Sequence, residues 1–289
     1  MVLRKLLDKN AQTSQRVRSL SMQGVTTLAA LALTLGINTV PAFAAPSKQT
    51  ENFHNFADWC KNQASLSIDA KQTVTALLKV AGTAECDRAS AVLSKRTALF
   101  LSRRRIAELS PLSSLTNLTY LDLNFNKIKN IKPLSKLRNL KELYLNNNQI
   151  ADISSVNQLN KLTVLILGSN QIKDISPIKQ LTNLTGLNIS SNQIADISPL
   201  QNLSNLAEIY IEDNQIKDIT PLSNLTNLTV IYAENNQIVD ISPLSKLTKL
   251  TYLYLNNNQI TDTTPLKGLT NIAGLDLRGN PVANKGSAK

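Results

Sequence analysis

Six tyrosines recur along this 289-residue chain at spacings that would place them together on one surface. Tyr210, Tyr232 and Tyr254 are evenly spaced, and Tyr254 lies between Leu253 and Leu255. In a β-strand this alternation sends leucine to one face, as core, and tyrosine to the other. Tyrosine offers a large contact area and a hydroxyl group at a low cost in entropy, which favours a surface that binds another protein.

The predicted ligand-binding residues are the tyrosines and the three glutamates that flank their column: Tyr120, Tyr144, Glu208, Tyr210, Glu212, Tyr232, Glu234, Tyr252 and Tyr254. With Asp213 at its rim, this face carries seven acids and one base, Arg278. The expected partner is therefore a basic protein or peptide. Nucleic acid is not expected on this face, because phosphate binding requires converging lysines and arginines. The purely structural alternative is that the tyrosines pack only against one another across strands.

Two other classes of function compete with protein binding. The chain has a formal net charge of +11. A basic cluster, together with lysines expected on the side of the molecule opposite the tyrosines, could bind an anionic polysaccharide or lipid. This cluster comprises Lys95, Arg96, Arg103, Arg104 and Arg105. Glu208 and Glu212 could serve as the paired carboxylates of a carbohydrate-active enzyme. An open sheet without a lid makes catalysis the least favoured alternative.

No cofactor or metal ion is expected. The only histidine is His54, so the rest of the chain cannot build a His/Cys metal cluster or a histidine-based catalytic dyad. Aspartates recur at a constant interval and could suggest a metal, but each is expected to accept local backbone hydrogen bonds instead. They are Asp152, Asp174, Asp196, Asp218, Asp240 and Asp262.

A repeat of about 22 residues must position these side chains, and asparagine marks its period. The repeat unit is L-x-x-L-x-x-L-x-L-x-x-N-x-I-x-D-I-x-P-L, a frame typical of leucine-rich repeats. Each asparagine amide can satisfy backbone donors and acceptors where the chain turns inside the stack. The predicted asparagine ladder comprises Asn126, Asn148, Asn170, Asn192, Asn214, Asn236, Asn258 and Asn280, and Arg104 takes this position in a degenerate first coil.

The predicted fold class is an α/β repeat. We expect a right-handed solenoid of about nine coils with a concave parallel β-sheet and short 3-10 or helical turns on the convex side. A Ser or Thr hydroxyl followed by proline, as at Ser176-Pro177, is expected to cap each turn. An α-helical cap precedes the first coil, with helices inferred around Phe56, Leu77 and Ala89.

The segment "LTNLTGLNISSNQIADISPL", residues 181–200, resembles the repeats of bacterial internalins, and this similarity extends over about residues 97–281. The resemblance implies a curved solenoid whose concave sheet holds a protein partner. The helical cap, with Trp59-Cys60 followed by Cys86, resembles instead that of exported cyanobacterial leucine-rich repeat proteins.

The first residues predict export. Residues 1–44 read as a signal peptide with a basic start, an apolar segment and small residues at Ala42 and Ala44, and no membrane span is expected in the mature chain. Residues 45–96 form the helical cap, 97–281 the solenoid and 282–289 a disordered tail. In a periplasmic or secreted protein, Cys60 and Cys86 are expected to form a disulfide, with two buried free thiols as the alternative.

Overall fold

A computed structural model describes residues 53–284, so the predicted signal peptide lies outside the described residues. Three helices form the N-terminal cap: α1 (Phe56–Lys61), α2 (Ile68–Ala81) and α3 (Cys86–Ser94). Nine strands follow: β1 (Ala98–Phe100), β2 (Tyr120–Asp122), β3 (Glu142–Tyr144), β4 (Val164–Ile166), β5 (Gly186–Asn188), β6 (Glu208–Tyr210), β7 (Val230–Tyr232), β8 (Tyr252–Tyr254) and β9 (Gly274–Asp276). A helical turn, α4 (Pro281–Asn284), comes last, where the sequence predicts a disordered tail from residue 282.

The cap helices have clear sequence signals at their ends. The Asn55 side chain and the Asp58 carboxylate form a capping box at the start of α1. Helix α2 ends at Gly82, whose φ of 71° lies in the left-handed region that favours glycine. The predicted disulfide between Cys60 and Cys86 is present and joins α1 to α3. Its loop of 26 residues stabilises the cap by about 3 kcal/mol in the chain-entropy description.

Helix α2 also fastens the cap to the first coil through two side-chain hydrogen bonds. The buried Thr73 hydroxyl donates to the Glu108 carbonyl at 2.7 Å, and the Gln72 amide donates to the Arg104 carbonyl at 2.9 Å. The cap therefore supplies donors to carbonyls that would otherwise end the stack unpaired.

The nine strands form one parallel sheet in the order β1 to β9, which confirms the predicted solenoid. Each strand is paired with the next in the register that the repeat predicts, for example Leu187 with Ile209 and Tyr210 with Tyr232. The central residues of β1 to β8 point inward and are at most 1% exposed, and they belong to one continuous core. At β9 the equivalent Leu275 is 47% exposed, because no coil covers it among the described residues.

The asparagine ladder lines the turns after β2 to β9. Asn148 donates from its amide nitrogen to the carbonyls of Leu123 and Leu145 at 3.1 and 3.0 Å, and its Oδ1 accepts from the Ile128 amide at 3.1 Å. The residue before each ladder position has a positive φ, as at Asn147 with 55°. Asparagine tolerates this conformation better than most residues, which explains the second asparagine in several coils.

Short 3-10 turns follow on the opposite side, but the predicted hydroxyl cap is wrong. At Ser176 the hydroxyl does not cap the turn. Instead, the amide and hydroxyl of Ser176 donate to the two carboxylate oxygens of Asp174 at 2.7 and 2.9 Å. A carboxylate two residues earlier reaches both donors, so the aspartate column is used locally, as expected.

Candidate ligand-binding face

The side of the sheet away from the core, here called the outer sheet face, has three columns of side chains along the stack. We name each column by residue position counted from the start of the strand. The first column holds the first residue of each strand, and the third column holds its last residue. The fifth column follows two residues after each strand and is linked by backbone hydrogen bonds such as Asn147 N to Gly168 O and Asp213 N to Glu234 O. After β2 to β9 it comprises Asn124, Asn146, Gly168, Ser190, Glu212, Glu234, Asn256 and Arg278.

Three predicted tyrosines stack in the third column. The ring centroids of Tyr210 and Tyr232 are 4.9 Å apart at an interplanar angle of 18°, and those of Tyr232 and Tyr254 are 4.5 Å apart at 23°. We call this the C-terminal aromatic stack. Tyr252 lies beside it in the first column, as the repeat spacing requires.

A second aromatic group lies at the other end of the face and includes a residue that sequence reasoning missed. Phe100, Tyr120 and Tyr144 have centroids 5.0 and 5.1 Å apart in sequence order, and we call them the N-terminal aromatic stack. Phe100 is 59% exposed. It lies two repeats before Tyr144 in the repeat frame, and this position is the signal that could have identified it.

The two stacks are separated by β4 and β5, which carry no aromatic residue. Their outward residues are Val164, Ile166, Gly168, Gly186, Asn188 and Ser190. The tyrosines that border this gap, Tyr144 and Tyr210, are 6% and 4% exposed. The Tyr144 hydroxyl donates to Glu142 Oε2 at 2.7 Å, and burial with this carboxylate raises its pKa well above the usual range. Burial is also the chief cause that raises the pKa of Tyr210.

The flanking glutamates differ from the expected charged rim. Burial raises the pKa of Glu212 to about 8 and that of Glu234 to about 7. At neutral pH Glu212 is therefore mostly protonated and Glu234 about half protonated, so the negative charge of this face is smaller than the sequence indicates. The Oε2 atoms of both side chains are buried and accept no hydrogen bond within residues 53–284. Asp276 is paired with Arg278 at 2.6 Å.

The basic cluster lies where the cap meets the first coil, and two of its arginines have intramolecular contacts. The Arg96 guanidinium donates to the Val80 carbonyl at 3.1 Å. The Arg103 guanidinium lies 4.1 Å from the centroid of the Phe125 ring, in a cation–π contact. Within residues 53–284 there is no group of three or more His, Cys, Asp or Glu side chains that could hold a metal ion. In the same range no helix has the length and apolarity needed to cross a membrane.

A family model described as Leucine Rich repeats (2 copies) matches residues 97–136, 138–180, 182–224, 226–268 and 248–284. The chain belongs to the leucine-rich repeat family. No curated protein matches it in sequence. Its repeats are of the bacterial internalin-like class, because two solved internalins of Listeria monocytogenes resemble it in both sequence and fold.

The internalin encoded by inlF is 38% identical, with a TM-score of 0.66, over 74% of this chain and 65% of that one. This leucine-rich repeat chain thus spans about two thirds of the first neighbour's length. Internalin C2 is 34% identical with a TM-score of 0.66, over 70% of this chain and 91% of that one. The ectodomain of a plant receptor kinase from Arabidopsis thaliana, solved in complex with Casparian Strip Integrity Factor 2, shares the fold at 22% identity and a TM-score of 0.53, over 59% of this chain and 25% of that one.

Proposed function

We propose that this leucine-rich repeat protein is a non-catalytic binding module that holds a basic protein or peptide on its outer sheet face. The observation that carries the proposal is the pair of aromatic stacks, which place six rings on one face with a gap between them that carries no aromatic residue. Aromatic rings dominate the energetics of many protein interfaces because they bury a large area with few rotatable bonds.

The partner is expected to bind outside the cytoplasm, as a periplasmic or secreted protein would. The Cys60–Cys86 disulfide supports this location, because disulfides persist in oxidising compartments. An anionic polymer at the basic cluster is less favoured, since Arg96 and Arg103 already contact Val80 and Phe125.

Site-specific photo-cross-linking in the producing cells tests the face. A photoreactive phenylalanine analogue replaces Tyr254 in one variant and Lys217, on the turn side, in a matched control. We expect a discrete protein adduct from position 254 and none from position 217. Adducts that form at 217 or at Arg105 but not at 254 would assign binding to another surface.

The captured partner then allows an affinity measurement. Tyr232→Ala is expected to weaken binding about tenfold, which corresponds to about 1.4 kcal/mol, because it removes the central ring of the C-terminal aromatic stack. Lys173→Ala, on the turn side, should leave the affinity unchanged. If Tyr232→Ala unfolds the protein in a thermal melt and the folded fraction binds normally, the stack is only structural.

A further inference from the structure

The open edge of β9 leaves backbone donors unpaired. In the coil before it, the Leu255 amide donates to the Asp276 carbonyl at 2.8 Å, which holds β9 against β8. The equivalent amide one repeat later, at Leu277, donates to no group within residues 53–284, and neither does the amide of Gly279. A row of unpaired backbone groups at a sheet edge is a template for pairing with another strand.

The apolar core is open at the same end of the molecule. Leu275 points into the core layer from β9 and is 47% exposed. Ile272 and Leu277 pack against the core but are only partly buried. A strand that pairs with β9 therefore has to bring an apolar layer of its own to cover these side chains. The last coil of a second copy of the chain carries both the strand edge and the matching layer.

The charges beside this edge are complementary to themselves. Asp276 accepts from the guanidinium of Arg278 at 2.6 Å, and the Arg278 side chain is still 88% exposed. When two such strands run antiparallel around Leu277, Asp276 of each copy lies directly opposite Arg278 of the other, and opposite charges in this position attract. Centring the axis on Asp276 instead would oppose two carboxylates. Charge therefore favours a second copy in the register centred on Leu277.

We propose that the protein forms an end-to-end dimer in which β9 pairs with β9 of a second copy, antiparallel around a two-fold axis at Leu277. The two Leu277 residues then exchange amide-to-carbonyl hydrogen bonds, and the two open core ends cover each other. Because this axis is perpendicular to the sheet, both outer sheet faces point the same way. The Tyr254 rings of the two copies are separated by three strand spacings, about 14 Å. The dimer itself does not depend on what the outer sheet face binds.

Sedimentation velocity over a concentration series measures the association of the mature protein. The intact protein should be a dimer at about 0.1 mM. Asp276→Arg brings like charges together across the axis, and Leu275→Lys places a charge at the open core end. Each should raise the dimer dissociation constant at least about tenfold. Glu85→Arg, a charge reversal at an exposed position in the cap, should leave it unchanged.

A mixture of two charge variants tests the register and shows that the variants are folded. Asp276→Arg alone and Arg278→Asp alone should each be monomeric where the intact protein is dimeric. An equimolar mixture should form a heterodimer, because the variant with two bases then faces the variant with two acids. A mixture that stays monomeric although circular dichroism shows both variants folded would overturn the register. An intact protein that is monomeric at about 0.1 mM, or a folded Asp276→Arg variant that dimerises as the parent does, would overturn the edge pairing.

Discussion

Two lines of polar side chains run along this solenoid with the same repeat spacing, and they differ in how their hydrogen bonds are met. In the asparagine ladder, Asn148 donates to the carbonyls of Leu123 and Leu145 and accepts from the amide of Ile128. In the fifth column, Asn146 Oδ1 is equally buried and accepts nothing within the described residues. The same residue type, two positions apart, is satisfied in one line and not in the other.

Backbone geometry causes this difference. At the ladder position the chain turns and leaves backbone donors and acceptors inside the stack, which the asparagine amide meets. In the fifth column the neighbouring backbone groups already bond to the next coil, as Asn147 N does to Gly168 O. Asn146 Oδ1 therefore finds no backbone donor within residues 53–284, although Asn124 Oδ1 in the same column accepts from the Asn146 amide at 2.7 Å. The fully bonded ladder therefore stabilises the fold, whereas Asn146 in the fifth column contributes no hydrogen bond through its Oδ1 within the described residues.

The largest expected effect is on the ladder. Asn148→Ala should lower the free energy of unfolding by about 3 kcal/mol, because it leaves the Ile128 amide buried without a partner and removes one hydrogen bond each from the Leu123 and Leu145 carbonyls. These carbonyls keep the hydrogen bonds that Asn126 and Asn170 donate to them. Urea denaturation of the mature protein measures this change. A midpoint equal to that of the parent protein would mean that the ladder does not stabilise the stack. Arg104→Ala, at the ladder position of the first coil, is the control and should cost much less.

A smaller effect of opposite sign is expected in the fifth column. Because the folded pKa of Glu212 is raised to about 8, its folded form binds more protons than its unfolded form between about pH 4.5 and pH 8, and stability falls as pH rises through this range. Glu212→Gln removes that loss. We expect it to stabilise the protein by about 2 kcal/mol at pH 8, below the full linkage value because the side chain is partly exposed.

Thermal melts at pH 5 and pH 8 measure this difference. The stabilisation by Glu212→Gln should be nearly absent at pH 5, where the wild-type carboxyl is protonated in the folded protein. Glu85→Gln, at an exposed position in the cap, should change neither melt. Equal stabilisation by Glu212→Gln at both pH values would contradict a buried, proton-binding carboxyl group.

The smallest effect completes the comparison. Asn146→Ala should change the free energy of unfolding by no more than about 0.5 kcal/mol, because its side-chain oxygen accepts no hydrogen bond from the described residues that the substitution could break. Paired with Asn148→Ala in the same urea series, it separates the two lines within one coil. A loss as large as that of Asn148→Ala would place Asn146 among the structural asparagines.

Much of the fold could be predicted from the repeat, because each coil carries the same frame. The spacing of Leu253 and Leu255 gives the strand and its buried face, and the constant repeat length gives the register of Tyr210 on Tyr232. The predicted hydroxyl cap at Ser176 was wrong, since sequence alone does not reveal that the Ser176 amide and hydroxyl both donate to the Asp174 carboxylate. Phe100 was missed because its coil departs from the repeat consensus.

The sequence by itself determined the parallel sheet, the ladder and the stacking of tyrosines, because these depend on periodicity, which fixes which residues become neighbours. Only the tertiary structure decided the protonation of those neighbours and the space around them. Burial between coils raises the pKa of Glu212 and Glu234. Position 168 has room only for glycine, because side-chain oxygens of Asn146, Asn188 and Ser190 would lie within 3 Å of an added Cβ. Solvation and close approach depend on atoms from three coils at once, and a repeat read one coil at a time does not contain them.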